Sequence, residues 1–254
     1  MMTADLRIYV LGGFRVVSSG STVPVTPTAA RLLARLAVQE QPVPRSRIAD
    51  DFWPTLSEHR ALANLRATVW RLSEPCRSLV ASTGTLMSIA DFVQVDLQVA
   101  SDLVRDLLDG RRHDLPNPAA VALLCQPLLP EWHDEWLVFE RERIRQLHIH
   151  ALEILGQMCL RSGDSLSAVD IGVRVVGAEP LRESAHVLLI EAYLACGNRA
   201  DARRCYDRYR DLLRRDLDLE PGIEWAELVE SARQAFPVWF TSTTPARNAA
   251  NTPR

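Results

Sequence analysis

Residues 59–72 read HRALANLRATVWRL. At 100° per residue, Leu62, Leu65, Val69 and Leu72 fall within about 80° of one another, the buried stripe of an amphipathic helix. Arg60, Ala63, Asn64, Ala67 and Arg71 lie on the opposite side, flanked by His59, Arg66 and Trp70. Arginine and asparagine carry donors that fit guanine and adenine edges in the major groove, and alanine can touch thymine methyls. Taken alone, this outward face also suits an ordinary solvated helix. The segments before and after it decide between the two.

Upstream, residues 6–25 (LRIYVLGGFRVVSSGSTVPV) alternate, with Leu6, Ile8 and Val10 on one side and Arg7 and Tyr9 on the other. Gly12-Gly13 and the stretch from Ser18 to Thr22 mark turns, which predicts two or three short antiparallel strands. Thr26-Pro27 reads as an N-cap followed by proline at the first helical position. The helix after it, TAARLLARLAVQ, turns Ala29, Leu32, Leu33, Leu36 and Ala37 inward. A short second helix, PRSRIADDFW, starts near Pro44 and is ended by Pro54. The third runs from about Ser57 to Leu72, and RSLVASTGTLMSIADFVQVD reads as a β-hairpin around Thr83-Gly84.

Strands, three helices and a hairpin in that order make a winged helix-turn-helix, with the third helix in the recognition position. Double-stranded DNA is the expected partner. Arg60, Ala63, Asn64, Ala67 and Arg71 are the expected base-reading residues. Arg45 and Arg47 open the second helix, where backbone N–H groups and positive charge can meet a phosphate. Arg66 and Thr83 complete the expected phosphate contacts.

From Val99 onward the pattern is helical almost throughout. Ala151, Leu155, Leu160, Gly163, Ala168 and Arg174 recur 34 residues later as Ala185, Leu189, Leu194, Gly197, Ala202 and Arg208. That is the tetratricopeptide period, with helices expected near 142–161, 165–178, 183–196 and 199–214. Glycine and alanine are expected at the close-packing points, and EPGIEWAELVESARQAF supplies a closing helix. The fold class is therefore mainly α: a winged helix-turn-helix with short β-strands over 1–97 and a tetratricopeptide-like helical domain over 98–238. The polar, proline-containing stretch 239–254 is expected to be disordered.

Composition excludes much. Net charge is −3. Residues 1–95 hold ten arginines against seven acids, +3, so the remainder carries −6. A basic first domain beside an acidic second one suits a nucleic-acid binder with a separate interaction module. All 29 basic residues are arginine. A P-loop and Schiff-base chemistry both need the lysine that is missing. Five cysteines with no close pair argue against a disulfide framework and against zinc. The histidines of HIH, 148 and 150, face different ways on a helix and share no site with His133. EWHDEW has acids beside His133 but no nucleophile or glycine-rich loop, so Trp132 and Trp136 are read as packing between the domains. No enzyme, cofactor or metal is expected. Without a long apolar run or a secretory signal, a cytoplasmic protein is expected.

LRIYVLGGFRV, DDFWPTLSEHRALANLRATVWRL and LLPEWHDEWLVFERERIRQL together resemble the Streptomyces antibiotic regulatory protein (SARP) family. RSGDSLSAVDIGVRVVGAEPLRESAHVLLIEAYLACGNRADARRCYDRYRDLL and LDLEPGIEWAEL resemble its second domain, and the likeness covers about residues 5–236. The resemblance implies an OmpR-like winged helix joined to a bacterial transcriptional activation domain. It implies a homodimer that binds direct repeats, contacts RNA polymerase and activates secondary-metabolite genes. The length is similar to that of the small members, which lack an appended ATPase domain. The charge run ERERIRQLH reads by default as a solvated, salt-bridged face, with polymerase contact by Arg141, Arg143 or Arg145 as the alternative. Two features depart from the family. The hairpin STGTLMSIADF has no basic residue near its tip. Alanines at 63 and 67 leave few base-reading groups, so one half-site binds weakly and pairing of protomers matters more. Two other readings of the repeats remain: an adaptor whose winged helix binds no DNA, and a small-molecule sensor for which the sequence offers no motif.

Overall fold

In the computed structural model, which describes residues 5–72 and 74–237, the alternating N-terminal segment forms β1 (Leu6–Tyr9), β2 (Arg15–Ser18) and β3 (Ser21–Val23). Leu6, Ile8 and Val16 are buried, and antiparallel pairing sets Ile8 opposite Val16. The wing follows three helices: α1 (Pro27–Ala37), α2 (Arg45–Phe52) and α3 (Glu58–Trp70). All five inward residues expected of α1 are buried. Thr26 stands at the N-cap position, yet its hydroxyl makes no capping bond.

The strands β4 (Val43–Pro44), β5 (Val80–Thr83) and β6 (Leu86–Ile89) form a sheet in the order β4-β6-β5. β4, too short to show a period, ties the start of α2 to the wing. β7 (Gln94–Val95) returns beside β1 in parallel, Val95 opposite Ile8, and completes the order β3-β2-β1-β7.

α4 (Asp96–Leu108) starts directly from β7. The Asp96 carboxylate accepts from the backbone N–H of Val10 at 2.9 Å, Leu11 at 3.0 Å and Leu97 at 2.8 Å. Burial pushes its pKa up, against the pull of those three N–H groups. α5 (Pro118–Leu124) is capped by Asn117, whose side chain accepts from Ala119 N–H at 2.8 Å. Residues 127–129 then run against the N-terminal sheet: Gly12 N–H donates to the Pro127 carbonyl and Leu129 N–H to the Val10 carbonyl.

The first compact unit runs to His148 and the second starts at Ile149. The division at 97/98 drawn from the sequence pattern thus lies inside the first unit, for a physical reason. Arg31 of α1 stacks on Phe52 and pairs with Asp134, Gln39 donates to Glu140 at 3.1 Å, and Arg35 lies over Trp136. Trp132 packs on Phe14 with ring centroids 5.6 Å apart.

α6 (Glu135–Ser162) begins a full two turns before the expected 142, because its first half is a salt-bridged surface with little apolar period to read. The second unit continues with α7 (Ser165–Ala178), α8 (Glu183–Ala195), α9 (Arg199–Leu217) and α10 (Trp225–Ala235). Ala151, Leu155, Leu160 and Ala168 are buried, and so are Ala185, Leu189, Leu194 and Ala202. The repeat extends to the caps. Gly163 (φ +84°) and Gly197 (φ +74°) end their helices in the left-handed region, where glycine has no Cβ penalty. Asp164 and Asn198 cap the next helices by accepting from Ser167 and Asp201 N–H, each at 3.2 Å. Gly163 is not one of the close-packing points the sequence suggested, since a Cβ there would meet nothing within 4 Å. Gly172 is one: its Cβ would lie 3.1 Å from the Leu189 backbone. The stretch 239–254 lies outside the described residues.

His148 is 5% exposed, and burial lowers its pKa from 6.5 to about 4, partly offset by a bond to the Leu124 carbonyl. The folded chain then binds fewer protons than the unfolded one. The stability this neutral imidazole confers is complete above pH 6.5 and is lost as pH falls toward about 4, by up to about 3 kcal/mol. Melting temperature should drop between about pH 6.5 and pH 4.5, and drop less in His148→Gln. Parallel curves for the two proteins would rule this out.

Candidate nucleic-acid interface

α3 buries Ala61 (1% exposed), Leu65 (1%) and Leu72 (2%), the last just past its end. Leu62 and Val69 are half-buried, so the inner stripe is centred nearer Ala61 and Leu65 than the leucine–valine spacing indicated. The opposite side is open. His59, Arg60, Asn64, Arg66, Trp70 and Arg71 are exposed, while Ala63 and Ala67 are half-buried between them. The five residues expected to read bases therefore share one outward face. Their two alanines let a flat surface approach the helix axis. Trp70, which the sequence placed only at the flank, is 78% exposed and adds a large ring to that face. Its carbonyl is fixed by Arg77 Nη2 at 2.8 Å, which satisfies one acceptor at the helix end.

The start of α2 and the turn of the wing meet. Arg45 N–H donates to the Thr85 carbonyl at 2.9 Å, and Pro44 is paired with Leu86. Thr83 is exposed beside Gly84, whose φ of +60° makes the turn. Arg47 is exposed one position beyond the half-buried Ser46. Arg45 Nε is buried without a hydrogen-bond partner. The structure thus brings Arg45 and Thr83 to one end of the wing sheet, and Arg66 lies along the flank of α3. Sequence gave no signal for the Arg45–Thr85 link, because a two-residue strand leaves no periodicity.

Electrostatically this face differs from the rest of the surface. Elsewhere arginines pair within one helical turn: Arg143 with Glu140 at 3.0 Å, Arg174 with Asp170 at 2.9 Å, Arg203 with Asp207 at 2.9 Å. Arg45, Arg47, Arg60, Arg66 and Arg71 form no ion pair with a carboxylate among the described residues. One turn from Arg60 and Arg66 the sequence offers Leu, Ser, Ala, Asn, Val and Trp, and no acid. Glu74 lies three positions after Arg71, but the helix ends at Trp70.

The three arginines considered for polymerase contact are placed differently from one another. Arg141 donates to the carbonyls of Leu128 (2.9 Å), Leu129 and Trp132 (2.6 Å), clamping the segment that precedes α6. Arg143 and Arg145 face outward, paired with Glu140 and Glu142. Exposed Val138 (60%) and Phe139 (84%) lie on the same stretch of helix. Among the described residues no three His, Cys, Asp or Glu side chains gather into a metal site. No helix among the described residues is long and apolar enough to cross a membrane.

Residues 95–233 match the family of the bacterial transcriptional activator domain. Over 251 residues the chain is 28% identical to the regulatory protein AfsR of Streptomyces griseus, covering 92% of this chain and 25% of that one. AfsR of Streptomyces coelicolor is 28% identical over 257 residues, covering 91% and 24% respectively. The chain thus spans about a quarter of the length of the curated relatives it matches. The fold is similar to that of Mycobacterium tuberculosis EmbR, solved in complex with a low-affinity phosphopeptide. The TM-score is 0.68 at 22% identity, over 94% of this chain and 69% of that one.

The two faces of α3 make distinct predictions for stability. Leu65→Ala should cost about 2–5 kcal/mol in urea denaturation, the usual range for a fully buried leucine. Arg60→Ala should stay within about 0.5 kcal/mol of the parent, since its side chain holds nothing in the fold. A large loss for Arg60→Ala would mean that the outward face supports the structure.

Proposed function

The chain belongs to the bacterial transcriptional activator domain family, whose members are SARP-type transcriptional regulators and not enzymes, and from that premise we propose that it is a sequence-specific DNA-binding activator. The observation that carries the reading is the set of uncommitted guanidinium groups on and beside α3, on a protein whose other surface arginines are mostly paired. In this reading α3 enters the major groove. Arg60 and Asn64 hydrogen-bond base edges, Ala63 and Ala67 permit the approach, and Arg71 reaches the groove from the helix end.

Arg45, Arg47 and Arg66 neutralise phosphates, and Thr83 offers its hydroxyl to another. The orphaned Nε of Arg45 supports this, because a buried donor without an acceptor is a cost that a phosphate oxygen removes. The wing turn carries Ser, Thr and Gly but no cation, so the wing adds little charge. One protomer then has few contacts, and a homodimer on paired half-sites supplies the rest. Contact with RNA polymerase through the outward Arg143 and Arg145, and control of secondary-metabolite genes, complete the proposal.

The test is binding to fragments of the source genome at two salt concentrations, with Arg60→Ala/Asn64→Ala as the control. Neutralising three phosphates per protomer should weaken binding between about 50 and 200 mM salt by roughly 40-fold for a single protomer and roughly 2,000-fold for the dimer. The double variant should lose roughly 1–3 kcal/mol of discrimination for each base contact removed. Unselective binding at low salt, or the same selectivity in the variant, would overturn the assignment of α3. It would favour the repeats as an adaptor for a protein partner.

A further inference from the structure

Helices α7 and α9 flank a cleft of about 700 Å3 over α8 in the second unit, a size typical of small-molecule sites. Val173, Val176, Leu189 and Leu212 give it apolar walls. His186, 6% exposed, and Cys205, 3% exposed, lie at its floor. The imidazole Nε2 is 2.9 Å from the Pro180 carbonyl, so this nitrogen carries the proton and donates. Nδ1 is then an acceptor, 3.7 Å from the Cys205 thiol, and Tyr209 stacks on the ring at 4.1 Å. Burial keeps the imidazole below its ordinary range and pushes the thiol up to about 11. Both groups are neutral at pH 7, and a protonated thiol is no nucleophile. The floor is uncharged and its hydrogen-bonding capacity is already used.

The charge sits at the rim. Arg215 is paired with Asp216 at 2.7 Å, and Asp211 with Arg210 at 3.1 Å. Arg208 is different. Its Nε donates to the Arg204 carbonyl at 3.3 Å, and it forms no ion pair with a carboxylate among the described residues. The repeat explains why. Its counterpart Arg174 pairs with Asp170, one turn earlier on the helix. At the position matching Asp170 stands Arg204, so the acid is missing. The Arg208 charge is felt at the floor by both His186 and Cys205, as well as by Asp201. An apolar cleft with one uncommitted guanidinium over it is complementary to a molecule with an apolar body and one negative end.

We propose that this cleft binds a small amphipathic carboxylic acid, with its carboxylate on Arg208 and its apolar body against Val173, Val176, Leu189 and Leu212. Such a ligand would give the helical repeats a sensing role in addition to any contact with the transcription machinery.

The test needs no DNA, so it stands or falls apart from the DNA-binding reading. The full-length chain is titrated calorimetrically with 2-naphthoate and decanoate, and with 2-naphthol as a neutral twin. The expected result is saturable one-to-one binding of at least one acid, weaker binding of 2-naphthol, and a loss of about ten-fold or more in Arg208→Gln. Val176→Trp, which fills the cleft, should abolish binding. Arg208 is exposed, so Arg208→Gln should fold normally, and circular dichroism checks this. No saturation with either acid would overturn the proposal, as would equal binding by Arg208→Gln. Binding that survives Val176→Trp would place the site elsewhere and overturn it as well.

Discussion

A single buried carboxylate holds the first unit together. Asp96 accepts three backbone N–H groups, two of them from the end of β1, at the point where β7 becomes α4. Hydrogen bonds to a charged group are worth about 1.5–3 kcal/mol each, set against the cost of taking the carboxylate out of water. That cost is visible in its raised pKa. Because both strands are pinned there, residues 127–129 can join the sheet and α1 is closed in by the segment leading to α6. Arg35, paired with Asp51 at 2.8 Å, then fixes α2 on α1. The orientation of α3 follows from these joints and from the burial of Leu65.

Charge is distributed with the same economy. A chain without lysine places rigid, planar guanidinium groups wherever it needs a cation. On α6, α7 and α9 many of these are matched by acids close in sequence, such as Arg143 with Glu140, Arg174 with Asp170 and Arg203 with Asp207, at a gain of only about 0–1 kcal/mol per exposed pair. Leaving Arg60, Arg66 and Arg71 unmatched therefore costs the fold little and keeps their donors available. The same comparison singles out Arg208 in the second unit, where one substitution in the repeat, arginine for the acid, removes the partner.

The sequence made the elements with strong periods legible. α1 and α3, the wing, and the 34-residue repeat of the second unit could all be read from spacing, whereas the caps Asp164 and Asn198 showed only in the structure. What stayed hidden was set by long-range contact. Asp96 looks like any acid at a helix start until Val10 and Leu11 are brought to it. β4 and β7 are two residues each. The first two turns of α6 are amphipathic only weakly, so spacing alone sets the helix start late. At the interface, the outward face of α3 was legible because helical angle alone determines it. The exposure of Trp70 and the link between Arg45 and Thr85 depend on what packs nearby, and the spacing carried no trace of them.

The central claim is that α3 reads the major groove, and methylation interference with dimethyl sulfate tests it most directly. Methylating guanine N7 blocks the acceptor that an arginine such as Arg60 would use. The account predicts that N7 methylation within each half-site removes bound complex, while adenine N3 methylation in the minor groove beneath the wing has little effect. Interference confined to adenine N3, or none at either atom on DNA that the protein binds selectively, would contradict it.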